Sequence, residues 1–190
     1  MTSILGIGGT NGAGKDSIGE LLADKYGWLF VSVSQLLRDE LTKQGLPTDR
    51  HHTHQLSARW RRQSGLGVLI DKAVEFYKPN ENKYSGLAIS SLRNPGEADE
   101  VHKLGGKVIW VDADPKIRYQ RVQGRAHGRV EDNKSFGQFL AEEQHQMHPS
   151  GDEATLNMSG VKAKADIFLE NNTDKESFFK EIEKALNLKP

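Results

Sequence analysis

The stretch "GIGGTNGAGKDS", Gly6 to Ser17, constrains the fold of this chain more than any other. From Gly9 it follows the phosphate-binding pattern G-x-x-x-x-G-K-[ST] as far as Lys15, then sets Asp16 where the hydroxyl residue belongs. Such a loop works only between a strand and a helix. Apolar residues precede it, and Ile18, Leu21 and Leu22 follow at helical spacing. Gly9, Gly12 and Gly14 let the backbone aim its amides at phosphate oxygens, and the helix from Lys15 adds its positive end. Gly9, Asn11, Gly12, Ala13, Gly14, Lys15, Asp16 and Ser17 are therefore the candidate nucleotide-binding residues.

A carboxylate beside a triphosphate repels it unless a cation lies between them, and Mg²⁺ accepts carboxylates together with phosphate oxygens. Asp16 is thus the first candidate for the metal. Ser17 is the second, although one residue turns about 100° around a helix. The plainer alternative is that Asp16 only complements the helix dipole.

Along the rest of the chain, short apolar runs alternate with helical segments, the pattern of an α/β fold with a parallel sheet between helical layers. Strands are expected at residues 4–8, 28–33, 86–91, 107–112 and 166–169. Helices are expected at 15–26, 34–44, about 52–77, 95–104, 115–124, 135–148 and 174–186, the last capped by Asp174. No repeat or linker divides the 190 residues, so one domain is expected. Two segments break the alternation: an insertion at about 45–78, and a polar stretch that opens a lid at about 124–148.

Basic and acidic residues balance at 26 each, which argues against a nucleic-acid polymer or an anionic membrane as partner. The absence of cysteine excludes thiolate catalysis and Cys-based zinc sites. No run approaches the roughly 20 apolar residues of a membrane span, so a cytoplasmic protein is expected. Monomer and dimer both stay open.

Arginines carry the remaining signal. Arg38 lies one turn into the helix after the second strand, and Arg93 directly follows the third. Both fall at the carboxyl edge of the sheet, where a planar fork of donors suits a phosphate. "DPKIRYQRVQGRAHGRVED" adds Arg118, Arg121, Arg125 and Arg129, the first three at spacings that share a helix face. A GTPase N-K-x-D motif and an ABC-type signature loop are both missing.

These segments resemble the nucleoside monophosphate kinase superfamily. "SVSQLLRDEL" is similar to the segment with which adenylate kinases grip the acceptor phosphate, "DPKIRYQRVQGR" to the helix entering their lid, and "GRVEDN" to the lid's acidic corner. The G-K-D loop and "RNPGEADEVHKLGGKVIWV" resemble phage-type deoxynucleoside monophosphate kinases and uncharacterised kinases grouped with dephospho-CoA kinase. The resemblance implies a P-loop kinase using ATP and Mg²⁺ on a small nucleotide acceptor. It implies Arg121 and Asn172 at the ATP, Arg125 and Arg129 closing over the transferring group, and Ser34, Arg38 and Arg93 on the acceptor phosphate.

Two departures matter. The related enzymes have an Asp at the end of the third strand, where Ser90 and Ser91 stand here, and Asp16 is positioned to compensate. Asp112 imitates a Walker B acid but falls on the fourth strand. Dephospho-CoA kinases have Asp-x-Asp after the second strand; Ser32-Val33-Ser34 here favours an already ionised phosphate acceptor. In the insertion, Arg59 and Arg62 are candidate acceptor ligands around Trp60, or else surface charges around a core ring. His51, His52 and His54 read as solvated rather than as metal ligands. Two other classes remain open: a regulatory module that binds a nucleotide without transfer, and a kinase acting on nucleic-acid ends.

Overall fold

The computed structural model describes residues 3–124, 133–148 and 151–188. Five strands, β1 (Ser3–Gly9), β2 (Leu29–Ser32), β3 (Gly86–Leu92), β4 (Lys107–Asp112) and β5 (Ile167–Glu170), form one parallel sheet in the order β2-β3-β1-β4-β5. Each expected strand is present to within one or two residues. Side chains alternate between the two faces of each strand. Leu87, Ile89, Val108 and Trp110 therefore join one core. Leu5, Ile7, Ala88, Ile109 and Val111 join the other. The result is a three-layer α/β fold.

Helix α1 (Lys15–Tyr26) runs between two left-handed glycines, Gly14 and Gly27, and presents Ile18, Leu21 and Leu22 to the second core. Helix α2 (Val33–Lys43) buries Val33, Leu37 and Leu41 against the first. The insertion is two helices, not the single stretch expected: α3 (Arg50–Ser64) and α4 (Val68–Tyr77). Gly65, at φ 95°, ends α3, because left-handed backbone cannot continue a right-handed helix. The insertion is also part of the main core, since Leu69, Ile70 and Ala73 of α4 are fully buried there.

Helix α5 (Pro95–Lys103) begins at a capping box of Asn94 and Glu97. Asp114 caps α6 (Pro115–Gln123), Ser135 caps α7 (Phe136–Met147), and Asp174 caps α9 (Lys175–Ala185). A short helix, α8 (Met158–Ala163), was not foreseen. One turn and a half is too brief for its two buried residues, Met158 and Val161, to show a period. Among the described residues no helix is long and apolar enough to cross a membrane.

The chain leaves β1 toward β2 on one side of the sheet and leaves β3 toward β4 on the other. A crevice therefore opens between the carboxyl ends of β1 and β3, the switch point at which such sheets bind ligands.

Candidate active site

The glycine loop fills one wall of that crevice. Gly12 and Gly14 have φ of 81° and 98°, and a Cβ would lie 2.6 Å from the Arg118 carbonyl oxygen at the first and 2.5 Å from Asn171 Nδ2 at the second. Neither position admits a side chain. Thr10, 3% exposed, donates its hydroxyl to Asp112 Oδ1 at 2.6 Å, and Lys15 Nζ donates to the Thr10 carbonyl at 2.6 Å. Asp112 Oδ1 also accepts the Ala113 amide at 2.8 Å and lies 3.4 Å from Arg118 Nε. Asp112 thus buttresses the loop from β4, with its Oδ1 taken by these donors.

The other wall is β3. Its register slips between Ile7↔Ser90 and Gly8↔Leu92, so Ser91 is an extra residue, held at φ 73°. Bulges of this kind redirect neighbouring side chains. Here Ser90, fully buried, donates its Oγ to Asp16 Oδ1 at 2.7 Å. In P-loop enzymes the loop commonly supplies the hydroxyl and a strand the carboxylate. This chain has both groups with the positions exchanged. The structure records no such link from Ser17 to β3 among the described residues.

The donor set fits a nucleotide-borne magnesium ion. Asp16 is exposed at the mouth of the loop and presents hard carboxylate oxygen. Among the described residues no three His, Cys, Asp or Glu side chains converge on one point, so an ion held here takes the rest of its ligands from phosphate and water.

Beyond Ser91 lies a narrow hole lined by Arg38 of α2, Arg50 and Arg61 of α3, and Arg93 after β3, with Ser34 and His54. Among the described residues no carboxylate lines it. Arg93 is fixed through its backbone, whose amide donates to buried Glu97 Oε2 at 2.7 Å. Glu97 Oε1 takes Arg61 Nη2 at 2.7 Å, a pair with side chains 2% and 0% exposed. Arg61 also donates to the Ala154 carbonyl at 2.9 Å. Arg38 donates to the Ser34 carbonyl at 3.1 Å.

Arg59 and Arg62, expected at the acceptor, line neither this hole nor a neighbouring cavity between α3 and α7. Residues 50, 54, 57 and 61 share one face of α3, and 59 and 62 turn away from it. Both are exposed, and Arg62 pairs with Asp152 on the surface. Trp60 packs at the edge of the core under Lys72 Nζ, 4.4 Å from the ring centre. The histidines divide. His51 is exposed, and His52 is paired with Asp49 at 2.8 Å, but His54 faces the hole. Burial, with Arg93, Arg50 and Arg61 close by, lowers its pKa to about 3, so the imidazole is neutral. The spacing Arg50, His54, Ser57, Arg61 in the sequence was the available sign of this face.

On the nucleotide side, Arg118 and Arg121 do not act together. Arg118 is 2% exposed: Nε donates to the Ala113 carbonyl at 2.8 Å, Nη2 to Glu143 Oε1 at 2.8 Å, and Nη1 to the Asn11 carbonyl at 3.4 Å. It ties the loop to β4 and α7. Arg121 reaches the β5–α9 connection instead, donating to the Asn171 carbonyl at 2.9 Å, and burial lowers its pKa. Asn172, expected at the ATP, accepts the Asp114 amide at 2.7 Å. The loop contact falls to its neighbour Asn171, whose Nδ2 donates to the Ala13 carbonyl at 2.9 Å. Arg125 and Arg129 lie outside the described residues.

Helix α7 meets the arginines from the opposite side. Arg50 Nη1 donates to Glu142 Oε2 at 2.6 Å and Arg93 Nη1 to Gln146 Oε1 at 2.6 Å.

Comparison with known proteins gives the family and the fold. The profile of the AAA domain family matches residues 5–147. A UPF0200 protein of Pyrobaculum aerophilum is 28% identical over 189 residues, covering 98% of both chains. A UPF0200 protein of Pyrococcus abyssi is 26% identical over 184 residues, covering 95% of this chain and 93% of the relative. Among solved structures, shikimate kinase from Bacteroides thetaiotaomicron superposes with a TM-score of 0.64 at 13% identity, covering 98% of this chain and 99% of that one. Shikimate kinase from Acinetobacter baumannii in complex with shikimate gives 0.55 at 16% identity, covering 100% and 97%. The likeness to the kinases is one of fold; by its sequence, the chain belongs to the AAA domain family.

Proposed function

We propose that this protein is an ATP-dependent phosphotransferase that moves the γ-phosphate to a small nucleotide acceptor, a nucleoside or deoxynucleoside monophosphate. The observation that carries the reading is the Asp16–Ser90 pair, set between a phosphate loop and a hole that, among the described residues, is lined by four arginines and no carboxylate. A hydroxyl acceptor must lose a proton to a base, whereas a monophosphate is already ionised and needs only alignment and charge neutralisation.

Backbone amides of Gly9 to Gly14 and the α1 terminus hold the phosphates of ATP, and Lys15 reaches the outer ones. Asp16 holds magnesium, and Ser90 orients the carboxylate. A magnesium ion held there would supply neutralisation of charge on the phosphates of ATP. Arg121 and the loop at Asn171 and Asn172 flank the nucleotide's base. Arg38 and Arg93, with Ser34 nearby, hold the acceptor phosphate. Arg125 and Arg129 close over the transferring group and exclude water, as the resemblance implies. The partner is a small molecule, not a polymer or a membrane.

The test is ADP formation from ATP and Mg²⁺ across ribo- and deoxyribonucleoside monophosphates and dephospho-CoA. One monophosphate raising turnover far above the rate without acceptor supports the reading. Stimulation by dephospho-CoA alone moves the acceptor to a hydroxyl, and tight ATP binding without any transfer moves the protein to the class of regulatory modules.

A further inference from the structure

The arginine-lined hole is too small for a whole acceptor, at about 30 Å³. It adjoins a second cavity of about 350 Å³ between α3 and α7, with which it shares Arg50, His54 and Leu156. A third cavity, about 530 Å³ beside β2 and α2, shares no lining residue with the hole and carries Asp39, Glu40 and Lys43. An acceptor whose phosphate enters the hole therefore extends toward α7. His54 stands at the joint.

We propose that the acceptor is a small phosphate monoester whose organic part fills the α3–α7 cavity, and that His54 is the specificity-determining residue at the point where the two meet. This rests on the phosphotransferase reading of the site. Arg38, Arg50 and Arg93 offer only donors, which suit the charged phosphate oxygens and say nothing about what is esterified to them. His54 differs from them in kind. A neutral imidazole has one donor and one acceptor nitrogen, so it gives a hydrogen bond to an ester oxygen or takes one from a hydroxyl. The far wall is equally mixed, with Glu142, His145, Gln146 and His148. No Phe, Tyr or Trp lines this cavity among the described residues, so the organic part meets imidazoles, polar side chains and aliphatic surface rather than a large aromatic ring. Ala58 forms the small-residue part of the α3 wall and sets how much room remains.

The test measures binding of inorganic phosphate, ribose 5-phosphate and the nucleoside monophosphates by calorimetry, with ATP affinity as the measure of an intact fold. In the wild type, one monoester binds about tenfold or more tightly than inorganic phosphate. Ala58→Trp removes that advantage and leaves inorganic phosphate binding as it was. His54→Ala raises the KM of the monoester about tenfold with little change in kcat, and His54→Gln recovers part of the loss. A monoester that binds Ala58→Trp as it binds the wild type overturns the placement, while its ADP formation leaves the kinase reading intact. If Ala58→Trp no longer binds ATP, the His54 series decides alone, and an unchanged KM in His54→Ala overturns the proposal. If no monoester binds the wild type or drives ADP formation, the kinase reading fails and this proposal with it.

Discussion

Ser90 Oγ donates a 2.7 Å hydrogen bond to Asp16 Oδ1, joining the third strand to the first turn of the helix after the phosphate loop. The buried hydroxyl gives the exposed carboxylate a fixed orientation, which is what a metal ligand needs from its neighbour. Ser90→Ala is expected to raise the magnesium concentration for half-maximal turnover about tenfold, with the fold unchanged. A magnesium titration of ADP formation measures it.

Arg118 and Arg121 are three residues apart on α6, yet their losses should differ in kind. Arg118→Ala removes the cation between Glu143, Asp112 and the loop carbonyl of Asn11; Asp112 keeps its Thr10 and Ala113 donors, while Glu143, 14% exposed, loses its ion-pair partner. Removal of one member of a buried pair costs about 3–5 kcal/mol, so a denaturant titration should show a loss of that order. Arg121→Ala is expected to leave stability nearly unchanged and to raise the KM for ATP.

Glu142 holds Arg50, and Gln146 holds Arg93, so on the proposed reading α7 competes with the acceptor phosphate for these two arginines. Glu142 is 46% exposed, and the pair contributes about 0–1 kcal/mol. Glu142→Gln is therefore expected to lower the acceptor KM by a few-fold without loss of thermal stability.

His54 makes folding sensitive to acid. Its folded pKa lies at about 3 against an ordinary 6.5, chiefly because of burial and then because of Arg93, Arg50 and Arg61. Between those values the unfolded chain binds a proton that the folded chain refuses, so stability falls as pH drops through that window. The slope for one such group is about 1.4 kcal/mol per pH unit. Comparing wild type and His54→Gln by denaturant titration near neutrality and near pH 5 isolates it: the variant should lose less stability between the two pH values than the wild type, by the His54 contribution.

Much of this arrangement was legible in the sequence because it follows from local rules. The loop, its flanking strand and helix, and Asp174 as the cap of α9 are set by residues adjacent in the chain. The α3–α4 break was legible too, at Gly65 and Gly67, but apolar spacing on both sides masked it. What the sequence hid depends on partners far away. Arg118 and Arg121 look alike until Glu143 and Asn171 are brought to them from 25 and 50 residues on. Arg59 and Arg62 look as suited to a phosphate as Arg50 and Arg61, and only the packing of α3 decides which pair faces inward. His54 reads as a solvated polar residue until three arginines close around it.

The most direct measurement is magnesium-dependent ADP formation by the wild type, Asp16→Ala and the double exchange Asp16→Ser with Ser90→Asp, with the stimulating acceptor present. The account predicts that Asp16→Ala loses about a hundredfold in kcat and that the double exchange, which returns carboxylate and hydroxyl to the opposite positions, recovers much of it. Turnover by Asp16→Ala equal to that of the wild type would contradict the assignment of the metal carboxylate to the phosphate loop.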